Sequence, residues 1–218
     1  MTDRGKFITI EGVEGSGKTT QVALLSEYLR NNGVEVVQTR EPGGTDVGEK
    51  IRQILLSPLH GRLAPSAELL LFLAARAQQV HEVIMPALKN GAWIVCDRFS
   101  DATVAYQGHG RGIDTDTIRR MNDAATQGLK PDLTILLDLD VEIGIQRAIA
   151  SKKEFAESGT GDRMEKETRA FHRRVQKGYH ELAEREPGRI KVIPVTGSIE
   201  DVHRIIVSMV EPFLVKLK

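Results

Sequence analysis

The most constraining feature of this sequence is a glycine-rich segment that joins a short apolar run to a helical pattern. The segment reads Gly12-Val-Glu-Gly-Ser-Gly-Lys-Thr19 and follows the β-rich run Phe7–Glu11. It matches G-x-x-x-x-G-K-[ST] in full, and a position between a strand and a helix is the context in which that pattern holds phosphate. Its glycines let backbone N–H groups turn inward around phosphate oxygens at a helix N-terminus. We therefore expect a phosphate-binding loop.

Each position of this loop has an expected task. Lys18 is expected to reach the β- and γ-phosphates of a nucleotide, and Thr19 to bind Mg²⁺. The other positions expected to contact the nucleotide are Gly12, Val13, Glu14, Gly15, Ser16, Gly17 and Thr20. The alternative is a glycine-rich turn with only a structural role, which the combined match of motif and context disfavours.

The rest of the chain alternates between strand-like and helical patterns. The predicted strands are Phe7–Glu11, Val34–Thr39, Trp93–Asp97, Leu133–Asp138 and Ile190–Val195. The predicted helices are Gly17–Asn32, Asp46–Ser57, Pro65–Lys89, Asp114–Gln127, Asp140–Lys152 and Glu165–Glu186, with a last helix opening at Ser198–Asp201. Strands separated by helices imply parallel βαβ units. We predict a single α/β domain over residues 1–218, with a five-stranded parallel sheet flanked by helices on both faces.

Composition limits the classes of partner. The 218 residues include 30 Lys+Arg and 30 Asp+Glu, so the formal net charge is zero. Capture of nucleic acid or of an acidic membrane needs a basic surplus, so we expect neither partner. The longest apolar run, Leu69–Ala75, is far short of the roughly 18 residues of a spanning helix. The chain enters its first strand directly after Lys6, which does not fit a signal peptide. We expect a cytoplasmic protein.

Two function classes share such a loop and must be separated. One is a phosphotransferase that acts on a small acceptor, and the other is a GTP-dependent switch whose output is a conformation. Switches usually carry D-x-x-G after a strand and N-K-x-D for guanine, and this sequence has neither. The sequence therefore favours a phosphotransferase.

Charged residues follow the second and third predicted strands. Arg40 and Arg98 fall where ligands bind in open α/β sheets, and arginine can grip a phosphate with two hydrogen bonds. The alternative for each is a surface salt bridge. Asp97 ends the third strand, where it could complete a magnesium shell or simply pair with Arg98 or Lys18.

Two further positions stay open from the residues alone. Phe72 and Arg76 lie four apart and share a helix face, so they could stack on a planar base and donate to its edge. Spacing alone favours the plainer alternative, a core phenylalanine beside a solvated arginine. Glu14 is a carboxylate inside a loop that holds a polyanion, so it must point away or be neutralised. It could accept a hydrogen bond from an acceptor hydroxyl or form a local salt bridge.

Several segments together resemble bacterial thymidylate kinases, a family of P-loop NTPase-like nucleotide kinases. They are EGVEGSGKTT, TREPGGT at Thr39–Thr45, DRFSDATVAYQGHGRG at Asp97–Gly112 and PDLTILLDLD at Pro131–Asp140. The resemblance runs in order over most of the chain. It implies transfer of the γ-phosphoryl group of ATP to dTMP, with Mg²⁺, to give ADP and dTDP in dTTP biosynthesis. It also implies a homodimer, which the nearly all-apolar Ala67–Ala77 segment permits.

The resemblance also implies roles for individual residues. Lys18 and Thr19 would hold the ATP phosphates and metal, and Arg147 would flank adenine. The residues that would form the dTMP site are Arg98 and Arg40 at the phosphate, Phe72 and Arg76 at thymine, Glu14 at the 3′-hydroxyl, Tyr106 against the sugar, and Thr103 and Gln107 in the lining.

This chain departs from the family in where it carries positive charge. Some members have an arginine inside the phosphate loop, whereas this loop has no cation before Lys18. The polar stretch Ser151–Asp162 resembles a mobile lid, over about residues 150–163, although composition alone equally fits a surface loop. Where a lid arginine is expected it has Ser151, followed by Lys152 and Lys153. We expect one of these lysines, or Arg163, to close over the ATP phosphates.

The lid hypothesis predicts a kinetic result. A Lys152→Ala/Lys153→Ala double variant should lose kcat with little change in Tm, because a mobile loop contributes little to global stability. Steady-state kinetics and thermal melting check both parts. The rival is that both lysines are solvated loop charges and that Arg147 does the work; a preserved kcat in the double variant, with Arg147→Ala nearly inactive, would establish the rival.

Overall fold

The computed structural model describes residues 4–57, 59, 63–155, 163, 164 and 167–214, with the backbone alone for 151–155. Most of the predicted lid segment lies outside the described residues. Within the described ranges, none of the helices is long and apolar enough to cross a membrane.

Five strands alternate with helices along the chain. The strands are β1 (Phe7–Gly12), β2 (Val36–Arg40), β3 (Trp93–Asp97), β4 (Leu133–Asp138) and β5 (Ile190–Pro194). The helices are α1 (Lys18–Asn31), α2 (Asp46–Leu56), α3 (Pro65–Gln79), α4 (Met85–Lys89), α5 (Ser100–Thr103), α6 (Thr115–Thr126), α7 (Val141–Phe155), α8 (Arg169–Arg185) and α9 (Ile199–Leu214). π-Helical turns at Val80–Ile84 and Val104–Gly110 follow α3 and α5.

All five strands are parallel, in the order β2-β3-β1-β4-β5. The predicted five-stranded parallel sheet is therefore confirmed. β1 is central and buried along its whole length, as expected of a strand covered by helices on both faces. Its pairing sets Ile10 opposite Asp97 of β3 and Gly12 opposite Leu137 of β4. The carboxyl ends of β1 and β3 consequently lie side by side.

The core lies on both faces of this sheet. On one face, residues of β1 and β4 pack against Leu25 and Leu29 of α1 and Ile206 of α9. On the other, Phe7 and Ile94 pack with residues of the long helical stretch that contains α3 and α4. This layering explains why the strands have near-continuous apolar runs.

The structure corrects two details of the sequence prediction. The helix predicted over Pro65–Lys89 is interrupted by the π-helical turn, after which α4 continues to Lys89. The segment from Ser100 to Gly110 had no assigned helix but is helical, first as α5 and then as a π-helical turn. Nearly all of this segment is buried, so it lacks the one-sided apolar pattern by which a surface helix is recognised.

Candidate active site

The phosphate loop adopts a conformation that its glycines make possible. Gly15 and Gly17 have φ values of 69° and 91°, in the left-handed region that glycine adopts without steric cost. A Cβ at Gly15 would stand 2.1 Å from the carbonyl oxygen of Gly144, so this position also needs the missing side chain. Lys18 Nζ donates to the carbonyl of Val13 at 2.8 Å, which folds the lysine back over its own loop. Burial, helped by the charge of Arg98, lowers the pKa of Lys18 to about 8.

Thr19 and Asp97 meet beside this loop. The Thr19 hydroxyl donates to Asp97 Oδ2 at 2.7 Å, because parallel pairing of β1 and β3 brings the start of α1 next to the end of β3. In the described part of the chain, no group of three or more His, Cys, Asp or Glu side chains could hold a metal ion. The Thr19 hydroxyl and the Asp97 carboxylate are therefore the two oxygen ligands that this site offers to a metal. A pair of protein oxygens suits Mg²⁺, which is held mainly by phosphates and water.

A charged cluster links the phosphate loop to the residue that follows β3. Arg98 Nη2 donates to Glu14 Oε1 at 2.8 Å and to the Tyr106 hydroxyl at 2.8 Å, and that hydroxyl lies 3.0 Å from the same Glu14 oxygen. Burial alone would raise the pKa of Glu14, but Arg98 and Lys18 outweigh it and hold the pKa at about 2. Glu14 therefore forms the local salt bridge that the sequence left open, and it still lines the cleft.

Arg76 is a buried cation with all of its donors engaged. Its guanidinium is 1% exposed, and Nε donates to Glu41 Oε2 at 2.8 Å. The remaining N–H groups donate to Thr103, Asn122, Glu41 again and the Phe99 carbonyl. Arginine has five N–H donors, and these bonds use all five. The plainer sequence alternative, a solvated arginine, is therefore wrong for Arg76.

Sequence reasoning missed the partners Glu41 and Asn122, although a signal for such partners was present. An arginine in the nearly all-apolar Ala67–Ala77 stretch must be neutralised if it is buried, because an unpaired buried charge is very costly. The sequence does not show which carboxylate does this, since Glu41 lies 35 positions away. Phe72, in the same helix, is half-buried and lines the cleft near Arg76.

One cleft joins these parts. Its volume is about 1170 Å³, above the roughly 300–1,000 Å³ of a site for one drug-sized ligand. The predicted site residues that line it are Glu14, Gly15, Gly17, Lys18, Thr19, Thr20, Arg40, Phe72, Arg76, Asp97, Arg98, Thr103, Tyr106, Gln107 and Arg147. It extends from the phosphate loop, at Lys18 and Thr19, past Arg98 to Phe72 and Arg76.

Comparison with known proteins agrees with this geometry. The family model described as thymidylate kinase matches residues 10–206. The chain belongs to the thymidylate kinase family. Thymidylate kinases phosphorylate dTMP to dTDP, and the chain is accordingly a kinase.

Individual relatives extend over nearly the whole length. Thymidylate kinase of Geotalea daltonii is 50% identical over 90% of this chain and 92% of its own length. That of Pelobacter propionicus is 50% identical over 94% of each chain. The crystal structure of thymidylate kinase from Ehrlichia chaffeensis is 35% identical, with a TM-score of 0.73 over 95% of this chain and 99% of that one.

Among the cations predicted to act from the lid, the structure describes the side chain of Arg163 but not those of the two lysines. Lys152 and Lys153 lie within the span of α7, and their side chains lie outside the described residues. Arg163 is buried, with Nε donating to the Leu55 carbonyl at 2.9 Å and Nη1 lying 2.6 Å from Glu68 Oε2. A catalytic role for Arg163 would require this ion pair to open and stays a prediction.

Glu68, the partner of Arg163, also accepts a hydrogen bond from a residue that lines the cleft. Gln107 Nε2 donates to Glu68 Oε1 at 2.7 Å, and Arg111 donates to both Glu68 oxygens.

At the edge of the cleft, Arg40 is exposed and pairs with Glu49 at 3.1 Å. The salt bridge considered for Arg40 is thus formed, on a side chain that also lines the cleft.

The phosphate loop yields a direct prediction for this kinase. Lys18→Ala should lower kcat by on the order of 10²–10³. The variant removes the ammonium group that is positioned to stabilise negative charge on the transferring phosphoryl group. Steady-state kinetics with thermal melting checks both activity and fold. Lys89→Ala removes an exposed lysine from the end of α4 and should retain normal turnover. Near-normal turnover in Lys18→Ala would contradict the assignment of the ATP site.

Proposed function

We propose that the chain transfers the γ-phosphoryl group of ATP to dTMP, giving ADP and dTDP for dTTP biosynthesis, with one nucleotide at each end of the cleft. The observation that carries this proposal is the Glu14–Arg98–Tyr106 cluster. It joins Glu14 of the phosphate loop to Arg98 and Tyr106 in the cleft that Phe72 also lines, where the two phosphate groups must meet.

The donor end is built for the phosphates of ATP. Lys18 and the backbone N–H groups of the loop from Gly12 to Thr20 supply positive charge without a second cation in the loop. Arg147, exposed on α7 and lining the cleft, flanks the adenine. In the free protein Lys18 bonds to Val13, so nucleotide binding exchanges that carbonyl for phosphate oxygens.

The metal proposed for this end is Mg²⁺, held by Thr19 and Asp97. Their two oxygens fit an ion that binds to few protein ligands. When bound, Mg²⁺ neutralises phosphate charge that would otherwise oppose transfer.

The acceptor end selects a deoxyribonucleoside monophosphate. Arg98 and Arg40 bind its phosphate, and Glu14 accepts from its 3′-hydroxyl. Phe72 stacks on thymine. Arg76 and Thr103, which are already hydrogen-bonded to each other, contact the edge of the base. Since every Arg76 donor is already engaged, its contact to the base is a shared hydrogen bond.

The reaction needs positioning rather than a strong base. The attacking phosphate oxygen is already anionic, and phosphoryl transfer depends on alignment and on stabilisation of charge. Lys18, in the phosphate loop, and Arg98, which pairs with Glu14 of that loop, supply positive charge at the transfer point. Lys152, Lys153 or Arg163 in the lid segment, about residues 150–163, adds charge and excludes water so that ATP is not hydrolysed.

We further propose a single-domain, cytoplasmic homodimer with no nucleic-acid or membrane partner. Leu70 on α3 is 56% exposed, in the apolar stretch that the sequence analysis considered for dimer contact. Sedimentation equilibrium should give about twice the monomer mass; a monomer at assay concentrations would contradict the dimer without affecting the reaction.

The reaction is tested with a panel of nucleoside monophosphates. ADP release, followed through a coupled assay, should rise with dTMP and close analogues and stay at background with AMP, GMP and CMP. The Lys18→Ala variant is the matched blank, since it removes the donor site while leaving contaminating kinases detectable. ADP release that is highest with another monophosphate would overturn the proposed acceptor.

Two acceptor variants separate base binding from sugar selection. Phe72→Ala should raise the KM for dTMP about 5- to 150-fold, because base stacking contributes about 1–3 kcal/mol. Tyr106→Ala should loosen discrimination against the ribose analogue of dTMP, whereas Tyr106→Phe keeps the ring and should retain it. Both effects are measured as kcat/KM for dTMP and its ribose analogue.

The control for Phe72 is Phe213→Ala, a half-buried phenylalanine at the end of α9 that packs in the core and does not line the cleft. It should lower Tm without raising the KM for dTMP. Unchanged dTMP kinetics in Phe72→Ala would return Phe72 to a packing role.

A further inference from the structure

Arg98 is held in an unusual backbone conformation. Its φ is 70°, and within the described ranges the other non-glycine residue with positive φ is Gln127, which caps a helix. A bulky side chain in the left-handed region is strained, and such strain persists only where the surroundings enforce it. The strained residue is also the one whose guanidinium contacts Glu14 and Tyr106 in the cleft.

Two hydrogen bonds to acceptors on β1 hold this turn in place. The Arg98 N–H donates to the Ile10 carbonyl at 3.1 Å, which continues the pairing of β1 with β3. The next N–H, of Phe99, donates to the side-chain oxygen Oε1 of Glu11 at 2.7 Å. Glu11 thus fixes the peptide that immediately follows Arg98.

Glu11 is a carboxyl group in a position where an apolar side chain would ordinarily be found. It is 0% exposed on the central strand, and burial, with Asp101 nearby, raises its pKa to about 8 although Arg98 acts in the opposite direction. Its second oxygen, Oε2, accepts from the Tyr179 hydroxyl of α8 at 2.8 Å. Both oxygens therefore have a partner, and neither partner is a substrate group.

Tyr179 also supports the side chain of Arg98. Its ring packs edge to face against Tyr106, with centroids 6.3 Å apart, and the Arg98 guanidinium lies 5.2 Å from the Tyr106 ring centroid. Tyr179 itself is 2% exposed and does not line the cleft. It contacts both the group that holds the Arg98 backbone and the ring beneath the guanidinium.

We propose that Glu11 and Tyr179 are positioning residues that hold Arg98 aimed at the acceptor phosphate. They form a buried pair behind the cleft, and their effect on the reaction passes through the Phe99 N–H and the Tyr106 ring. The inference rests on the proposed function, in which Arg98 binds the phosphate of dTMP.

The first test removes one hydroxyl. Tyr179→Phe keeps the ring and deletes the donor to Glu11, so kcat/KM for dTMP should fall about tenfold, the effect of one lost buried hydrogen bond. The KM for ATP should stay unchanged, because the Tyr179 hydroxyl bonds to Glu11 of β1 and not to a residue of the phosphate loop. A purely structural role would instead lower Tm and the active fraction without separating the two substrates.

The matched control is Tyr28→Phe. Tyr28 also donates its hydroxyl to a carboxylate, Glu211 at 3.3 Å, but this pair lies between α1 and α9 away from the cleft. Tyr28→Phe should leave both KM values and kcat unchanged. If Tyr179→Phe matches Tyr28→Phe in both substrates, the inference is overturned.

The second test uses the carboxyl group and covers the case in which Tyr179→Phe folds poorly. Glu11→Gln keeps an acceptor for Phe99 N–H and a polar partner for the Tyr179 hydroxyl, so it should recover most of the dTMP kcat/KM that Glu11→Ala loses. Equal losses in Glu11→Gln and Glu11→Ala would show that this hydrogen-bond geometry is not what matters. Wild-type protein that does not turn over dTMP would overturn the proposed function itself, which separates the two failures.

Discussion

Parallel pairing of β1 with β3 is the constraint on which the rest of the site depends. It places the phosphate loop and the Asp97–Phe99 turn at one edge of the sheet, with Ile10 opposite Asp97. The Thr19–Asp97 hydrogen bond, the Arg98–Glu14 ion pair and the Phe99–Glu11 hydrogen bond all cross between these two segments. A shift in this register would separate every one of these pairs, because adjacent side chains alternate between faces of the sheet.

The second requirement of this site is control of like charges in a buried space. Lys18 and Arg98 both line the cleft, and the positive charge of Arg98 disfavours the charged form of Lys18. Glu14 interacts with both cations and stays ionised, because they hold its pKa at about 2. The Glu14 carboxylate thus neutralises part of the charge of the two cations before a nucleotide binds. At the other end of the cleft, Glu41 does the same for Arg76.

Some features could be predicted from local chemistry and others could not. The glycine pattern at Gly12–Thr19 needed only sequence, since left-handed glycines and a following helix N-terminus are local properties. The helical turns at Ser100–Gly110 were missed because the segment is buried on nearly all sides and contains glycines, so it has neither amphipathic period nor high propensity. Arg163 was considered as a lid cation, but its side chain is buried in an ion pair with Glu68, a carboxylate far away in the sequence.

The sequence by itself determined the family, the five strands and most of the helices between them, and the glycine-rich loop, because each follows from periodicity or from a contiguous motif. Tertiary structure alone decided which charges are neutralised and which conformation Arg98 adopts. These depend on contacts between residues far apart in the chain, such as Glu11 with Tyr179 and Glu41 with Arg76, which the helices bring together only after the sheet is assembled. A spacing along the sequence carries no information about such pairs, since their separation is set by how α3 and α8 pack on the sheet.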